Sequence, residues 1–138
     1  MKQLLRLLTM LAFLAAPAIA QNGPHIVDIG NAEHYVWGGV NDGWYLLKRD
    51  DLNIIRERMV PGSKEERHLH RQARQFFQVL SGTLTIEIAG ADFTLKPSQG
   101  IEVPPGTPHQ TKNLTDSPTE FVVVSMPPSH DDRISAGG

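Results

Sequence analysis

Ten prolines and twelve glycines cut this chain into segments too short for regular helices. No stretch between them keeps an apolar period of 3.6 residues for three turns, whereas several alternate apolar and polar residues with period two. The alternation is clearest in Thr83-Leu84-Thr85-Ile86-Glu87-Ile88. There Leu84, Ile86 and Ile88 share one face and Thr83, Thr85 and Glu87 the other. A turn at Ala89-Gly90 lets Ala91–Leu95 return beside it. Further strands are expected at Trp44–Lys48, Asn53–Val60, Phe76–Leu80, Ile101–Val103 and Phe121–Ser125. Turns are expected at Asn41-Asp42-Gly43, Arg49-Asp50-Asp51, Pro61-Gly62, Ser81-Gly82, Pro97–Gly100 and Pro104-Pro105-Gly106. Many short strands at even spacing make an all-β sandwich or barrel.

Residues 1–20 stand apart. Lys2 and Arg6 precede a mostly apolar run from Leu7 to Ala20, which ends in Ala18-Ile19-Ala20. This is the pattern of a secretory signal peptide, and the run is shorter than the roughly 20 residues a membrane-spanning helix needs. A periplasmic or secreted protein is expected, with no membrane association after signal cleavage. One domain then covers residues 21–127. Beyond Pro127-Pro128, residues 128–138 lose their apolar content and are expected to form a flexible tail.

The chain has no cysteine, so it has neither disulfides nor thiolate ligands. Without Lys2 and Arg6, 11 basic side chains face 15 acidic ones, a net charge of −4. An acidic domain without a basic stripe is a poor partner for nucleic acid.

Three of the six histidines fall in patterned places. His68 and His70 form an HxH pair, and residues i and i+2 of a strand share a face. Gln75 follows across a bend. His109 stands just after the rigid turn Pro104-Pro105-Gly106 and before Asn113. Three neutral imidazoles and one oxygen donor suit a borderline divalent ion, whether iron, manganese, nickel, copper or zinc.

These residues resemble the two motifs of the cupin superfamily. The first runs glycine, five residues, HxH, four residues, an acid, six residues, glycine. Here it is Gly62, His68, His70, Gln75 and Gly82, with glutamine in place of the acid. The second, proline-x-glycine, two residues, histidine, three residues, asparagine, is Pro104, Gly106, His109 and Asn113, with Ser98 where a glycine usually opens it. The resemblance implies a jelly-roll β-barrel with one divalent metal ion in its mouth. It implies His68, His70 and His109 as ligands, with Gln75 as a fourth ligand or as the holder of a bound water. It also implies a homodimer.

Glutamine in place of glutamate leaves a divalent site near +2 rather than +1. The ion is held less tightly but pulls harder on an anionic or oxygen-rich small-molecule substrate. It also removes one candidate base from the ligand set. Glu57 is the candidate that replaces it, because alternation in Ile55-Arg56-Glu57-Arg58-Met59 puts it on the face of Ile55 and Met59. A solvated pair with Arg56 or Arg58 is the alternative. Glu102 has a similar claim, and Arg67 and Gln78 are weaker candidates for substrate contact. Phe77 and Val79 share the face of Gln75 and are expected to line the cavity. Tyr35, Trp37, Trp44 and Tyr45 either pack in the core, cap the barrel mouth or cover a neighbouring subunit. His25, His34 and His130 have no patterned partners and are expected in solvent. Asn113-Leu114-Thr115 reads as a glycosylation acceptor, which a structural role for Asn113 would occupy.

The reading is an exported metal-binding cupin, a metal-dependent enzyme of the dioxygenase, isomerase or lyase type. The alternative is a non-catalytic protein that captures a metal or a small ligand outside the cytoplasm.

Overall fold

A computed structural model describes residues 24–137 of the chain, so residues 1–20, expected to form a signal peptide, lie outside the described residues. Eleven strands run in the order β1 (Glu33–Trp37), β2 (Asn41–Lys48), β3 (Asn53–Met59), β4 (His68–His70), β5 (Arg74–Ser81), β6 (Leu84–Ile88), β7 (Ala91–Leu95), β8 (Gly100–Val103), β9 (His109–Lys112), β10 (Thr119–Met126) and β11 (Arg133–Ser135). They build two antiparallel sheets, ordered β1-β2-β3-β10-β5-β8 and β11-β4-β9-β6-β7. This is the all-β, jelly-roll arrangement expected from the sequence.

Alternation decides which way each side chain faces. On β5, Gln75, Phe77 and Val79 are buried, while Phe76 and Gln78 point out. On β10, Thr119, Phe121, Val123 and Ser125 are buried. The two strands pair Phe121 with Val79, Val123 with Phe77, and Ser125 with Gln75. The inner face therefore changes from apolar to polar along the strands. Its floor is Met59, Val79, Leu84, Ile86, Leu95, Val103 and Phe121, and its open end carries Gln75 and Ser125.

Two expectations are corrected, and two strands appear that were not expected. Asn41-Asp42-Gly43 is not a turn but the start of β2, and Glu33–Trp37 is a strand that pairs with it. The turn lies at Gly38-Gly39, both at positive φ, a conformation that glycine adopts without strain. Gly43 sits in a strand because the Tyr35 ring covers it. A Cβ there would come within 2.3 Å of that ring. The stretch His109–Lys112, short and polar, is also a strand. Finally, residues 128–136 do not fray. A single 3-10 turn at His130–Asp132 leads into β11, which pairs with β4.

Asn113 is buried and has no capacity left for a glycan. Its amide donates to the carbonyls of Met59, Val60 and Ser117, and its oxygen accepts from the amide and hydroxyl of Thr115.

Two motif-like glycines separate backbone strain from crowding. Gly82 has φ +74°, and an added Cβ would lie 2.5 Å from the Pro118 carbonyl oxygen. Gly90 has φ +91° and nothing within 4 Å. Gly82→Ala should cost about 3 kcal/mol and Gly90→Ala about 1 kcal/mol. Thermal unfolding checks this: a Gly82→Ala loss no larger than that of Gly90→Ala would show that the loop at Pro118 yields freely.

Candidate metal centre

Strand β4 brings His68 and His70 to one face, both almost fully buried, and β9 sets His109 opposite His68. Each offers a ring nitrogen, and these atoms all lie within 4.8 Å of one another. Gln75 reaches the cluster from the other sheet. Two backbone carbonyls choose the tautomers: His68 Nδ1 donates to Glu66 O and His109 Nδ1 to Thr107 O, each at 2.9 Å. In both rings this leaves Nε2 as the nitrogen that faces the cavity. The Gln75 amide is oriented in the same way. Its Nε2 donates to Ser125 Oγ at 3.2 Å, which turns Oε1 inward.

The result places His109 and Gln75 acceptor to acceptor, while His70 can donate to His68 only with its proton on Nε2, which leaves its Nδ1 bare. His109 Nε2 lies 2.9 Å from Gln75 Oε1, and His68 Nε2 lies 3.1 Å from His70 Nε2. A proton on His109 would relieve the first contact, but burial, with the His68 ring beside it, pushes the His109 pKa down. Burial and the rings of His68 and His109 push His70 down to about 4. At neutral pH these imidazoles are uncharged donors. His70 Nδ1 is also buried without a partner. A cation between the acceptors removes the conflict, since ligands about 2.1 Å from one ion lie ~3.0–3.4 Å from each other. The residues fit a divalent metal.

The cluster opens into a cavity of about 380 Å³, walled by side chains of β1, β3, β5, β10 and the C-terminal segment. Glu57 lines it, as alternation on β3 implies, and accepts a hydrogen bond from Tyr35 Oη at 3.0 Å. The alternative pairing is absent, because Arg56 and Arg58 both turn to the opposite face and engage Glu120. Burial, and then the nearby Glu65 carboxylate, push the Glu57 carboxyl up to about 8, against the pull of the Tyr35 hydrogen bond and of Arg133. Desolvation and Glu57 hold the Tyr35 phenol well above its ordinary value, so it stays a donor.

The other expected residues divide. Phe77 lines the cavity, whereas Val79 belongs to the floor. Glu102 is on the outer surface in an ion pair with Arg74, Gln78 points outward, and Arg67 binds Glu87 at 2.9 Å. These three are corrected: an odd step along a strand, or a partner on the same sheet, turns each away from the site. Tyr35 and Trp37 line the cavity, while Trp44 packs on the ring of His34 and lies under the Arg58 guanidinium. His34 pairs with Asp42. His130 is exposed, as expected, yet it is not without partners. It lines the cavity, hydrogen-bonds Tyr45 Oη at 2.8 Å, and packs against the rings of Tyr35 and Tyr45. Sequence reasoning passed over Glu65 and Arg133. Glu65 accepts from Arg133 Nη1 at 2.9 Å and from Thr111 Oγ1 at 3.0 Å. Its run, Lys64-Glu65-Glu66-Arg67, reads as a solvated loop, and Arg133 sits in the stretch that looked like a tail.

Two outcomes follow from these electrostatics. Gln75→Glu should tighten retention of a divalent ion against a chelator, by about tenfold, and weaken the binding of anionic ligands. Equal retention in the two proteins would mean that Gln75 does not touch the ion. In the metal-free protein, Glu57 keeps its proton up to about pH 8 when folded, but gives it up near 4.5 when unfolded. Stability is therefore lost as pH rises from 4.5 to 8. Glu57→Gln should abolish that loss. With allowance for water in an open cavity, the gain at pH 8.5 is on the order of 2 kcal/mol, with little gain at pH 4.5. Melting temperatures at the two pH values measure it, and equal gains would refute the shifted carboxyl.

A family model described as a cupin domain, Cupin_2, matches residues 55–125. An uncharacterised protein of Methanocaldococcus jannaschii is 32% identical over 80 residues, 56% of this chain and 64% of that protein. Polyketide synthase CurC of Streptomyces cyaneus is 30% identical over 69 residues, 50% of this chain and 45% of that protein. The chain thus matches less than two thirds of the length of either relative. Among solved structures, the polyketide cyclase RemF from Streptomyces resistomycificus shares the fold. Its TM-score is 0.73 at 15% identity, over 84% of this chain and 87% of that one. The matched segment spans β3 to β10 and holds all three clustered histidines, and the chain belongs to the cupin family.

Proposed function

We propose that this chain is an exported, metal-dependent enzyme that moves a proton at the carbon beside a carbonyl group of a small, oxygen-rich substrate. One observation carries the reading: a buried carboxyl group, Glu57, whose pKa burial in the metal-free cavity raises to about 8 and a nearby cation would draw back toward neutrality, shares that cavity with three histidines and an inward-turned amide oxygen. A general base works best when its pKa lies near the working pH. His68, His70, His109 and Gln75 would hold the ion, and a divalent ion there supplies a Lewis acid that stabilises developing enolate charge. Glu57 takes the proton and returns it. Tyr35 holds the Glu57 carboxyl in place through its hydroxyl. Ile55, Phe77 and Val123 give the cavity an apolar wall that limits competing water. A donor set without a carboxylate keeps the site near +2, which favours substrates carrying anionic or enolisable oxygen. The names of the similar polyketide synthase and polyketide cyclase are in keeping with a substrate rich in carbonyl groups. Export enters this proposal through residues 1–20.

The test is solvent exchange. Protein with about one equivalent of metal is incubated in D₂O with a panel of 1,3-diketones and hydroxyketones, and deuterium uptake at the α-carbon is followed by NMR. Wild type should exchange at least one compound, and Glu57→Gln should keep its metal and lose ~10²–10⁴-fold in rate. An unchanged rate in Glu57→Gln removes Glu57 as the base. Ligand bound and recovered without deuterium would support a binding protein, and stoichiometric oxygen uptake a dioxygenase.

A further inference from the structure

The strand that carries His68 and His70 is three residues long and has little support of its own. It meets β9 at one register pair, His68 with His109. Its other edge is covered by β11, where Arg133 lies opposite His70, Ile134 opposite Leu69, and Ser135 opposite His68. Between His70 and Gln75 the chain bends at residues 71–73, outside any strand. That bend carries the chain from one sheet to the other, and so sets where Gln75 stands relative to His70.

Asp132 holds the bend. Its Oδ1 accepts the backbone N–H of Arg71 at 3.1 Å. Its Oδ2 accepts those of Gln72 at 2.7 Å and Ala73 at 2.8 Å. Three successive amides converging on one carboxylate form an anion nest. Here the anion comes from the chain itself, from the 3-10 turn that leads into β11. The same turn and strand bring His130 and Arg133 to the cavity wall.

We propose that Asp132 is a positioning residue for the metal centre. By clamping the amides of residues 71–73 it fixes His70 against Gln75, and it couples docking of the C-terminal segment to metal binding. The inference rests on the reading that the four-residue site holds a metal. Coupling of this kind is reciprocal: whatever factor undocking takes from metal affinity, metal adds to the docking equilibrium. A mere staple for the chain end would stabilise the fold without any such link.

The test uses Co²⁺ added to the metal-free full chain. Its dissociation constant is measured by chelator competition, and its visible spectrum recorded, for wild type, Asp132→Ala and Asp132→Glu. Asp132→Ala should bind Co²⁺ about tenfold more weakly or worse, with an altered band position or intensity, and Asp132→Glu should recover part of both. A lower melting temperature with unchanged affinity and spectrum would overturn the proposal. A second measurement needs no variant. In wild type, Zn²⁺ should slow amide exchange at residues 71–73 and 133–136, and exchange there indifferent to Zn²⁺ would also overturn it. Wild type that takes up neither ion ends the metal reading and this inference together. Wild type that binds normally beside an indifferent Asp132→Ala ends the inference alone.

Discussion

Three histidine rings and an amide oxygen converge in a buried place, and the rest of this barrel is arranged to hold them there. Leaving buried polar atoms unsatisfied costs about 1–3 kcal/mol each. The chain nevertheless fixes three of the four groups. The carbonyls of Glu66 and Thr107 take the Nδ1 protons of His68 and His109, and the Ser125 hydroxyl takes the amide proton of Gln75. Burial then denies the rings the proton that would settle the conflict. A cation at its centre would relieve the close approach of His109 Nε2 and Gln75 Oε1. The energy of the fold and the affinity of the site are in that sense one quantity.

The contact between His109 and Gln75 is tolerable because it occupies only one end of the barrel. Along β5 and β10 the inner residues pass from Val79 and Phe121, through Phe77 and Val123, to Gln75 and Ser125. The closed end is a continuous apolar core, and the polar end rests on it as on a floor. Phe77 belongs to both. It packs on Phe121 below and presents its ring to His109 above. Rigid packing beneath the ligands stops the acceptors from drifting apart to relieve their repulsion.

The part of the molecule that could be read from the chain alone is the part governed by local periodicity and fixed spacing. Alternation located the hairpin of β6 and β7 and the inner face of β5. The cluster of His68, His70, Gln75 and His109 was legible through the resemblance of its spacing to the two cupin motifs, and β4 and β9 bring the histidines together as that resemblance implies. What escaped is set by partners distant in sequence. Asn41-Asp42-Gly43 has the composition of a turn, yet it is strand because Tyr35 lies over Gly43. Residues 129–136 have the composition of a frayed end, yet they are ordered by three amides about sixty positions away. Glu65 and Arg133 looked like solvated charges because each is satisfied by the other. Composition reports what a segment would do alone, and here tertiary hydrogen bonds decide otherwise.

Glutamine at position 75 and glutamate at position 57 are best understood together. A carboxylate among the ligands would lie too close to the ion to keep a proton, and could serve as a base only by leaving the metal. An amide there holds its oxygen inward at no cost in charge, with Ser125 as its anchor. The carboxyl group stands instead on β3, across the cavity wall. There burial and Glu65 raise its pKa, and Tyr35 holds its orientation. Arg133 compensates the charge of Glu65 through their ion pair and draws the Glu57 carboxyl down against the push of Glu65, so burial remains the main cause of its raised pKa. On the proposed function, binding the ion and moving the proton would fall to different residues on different strands. Each can be tuned without weakening the other, which a single glutamate at position 75 would not allow.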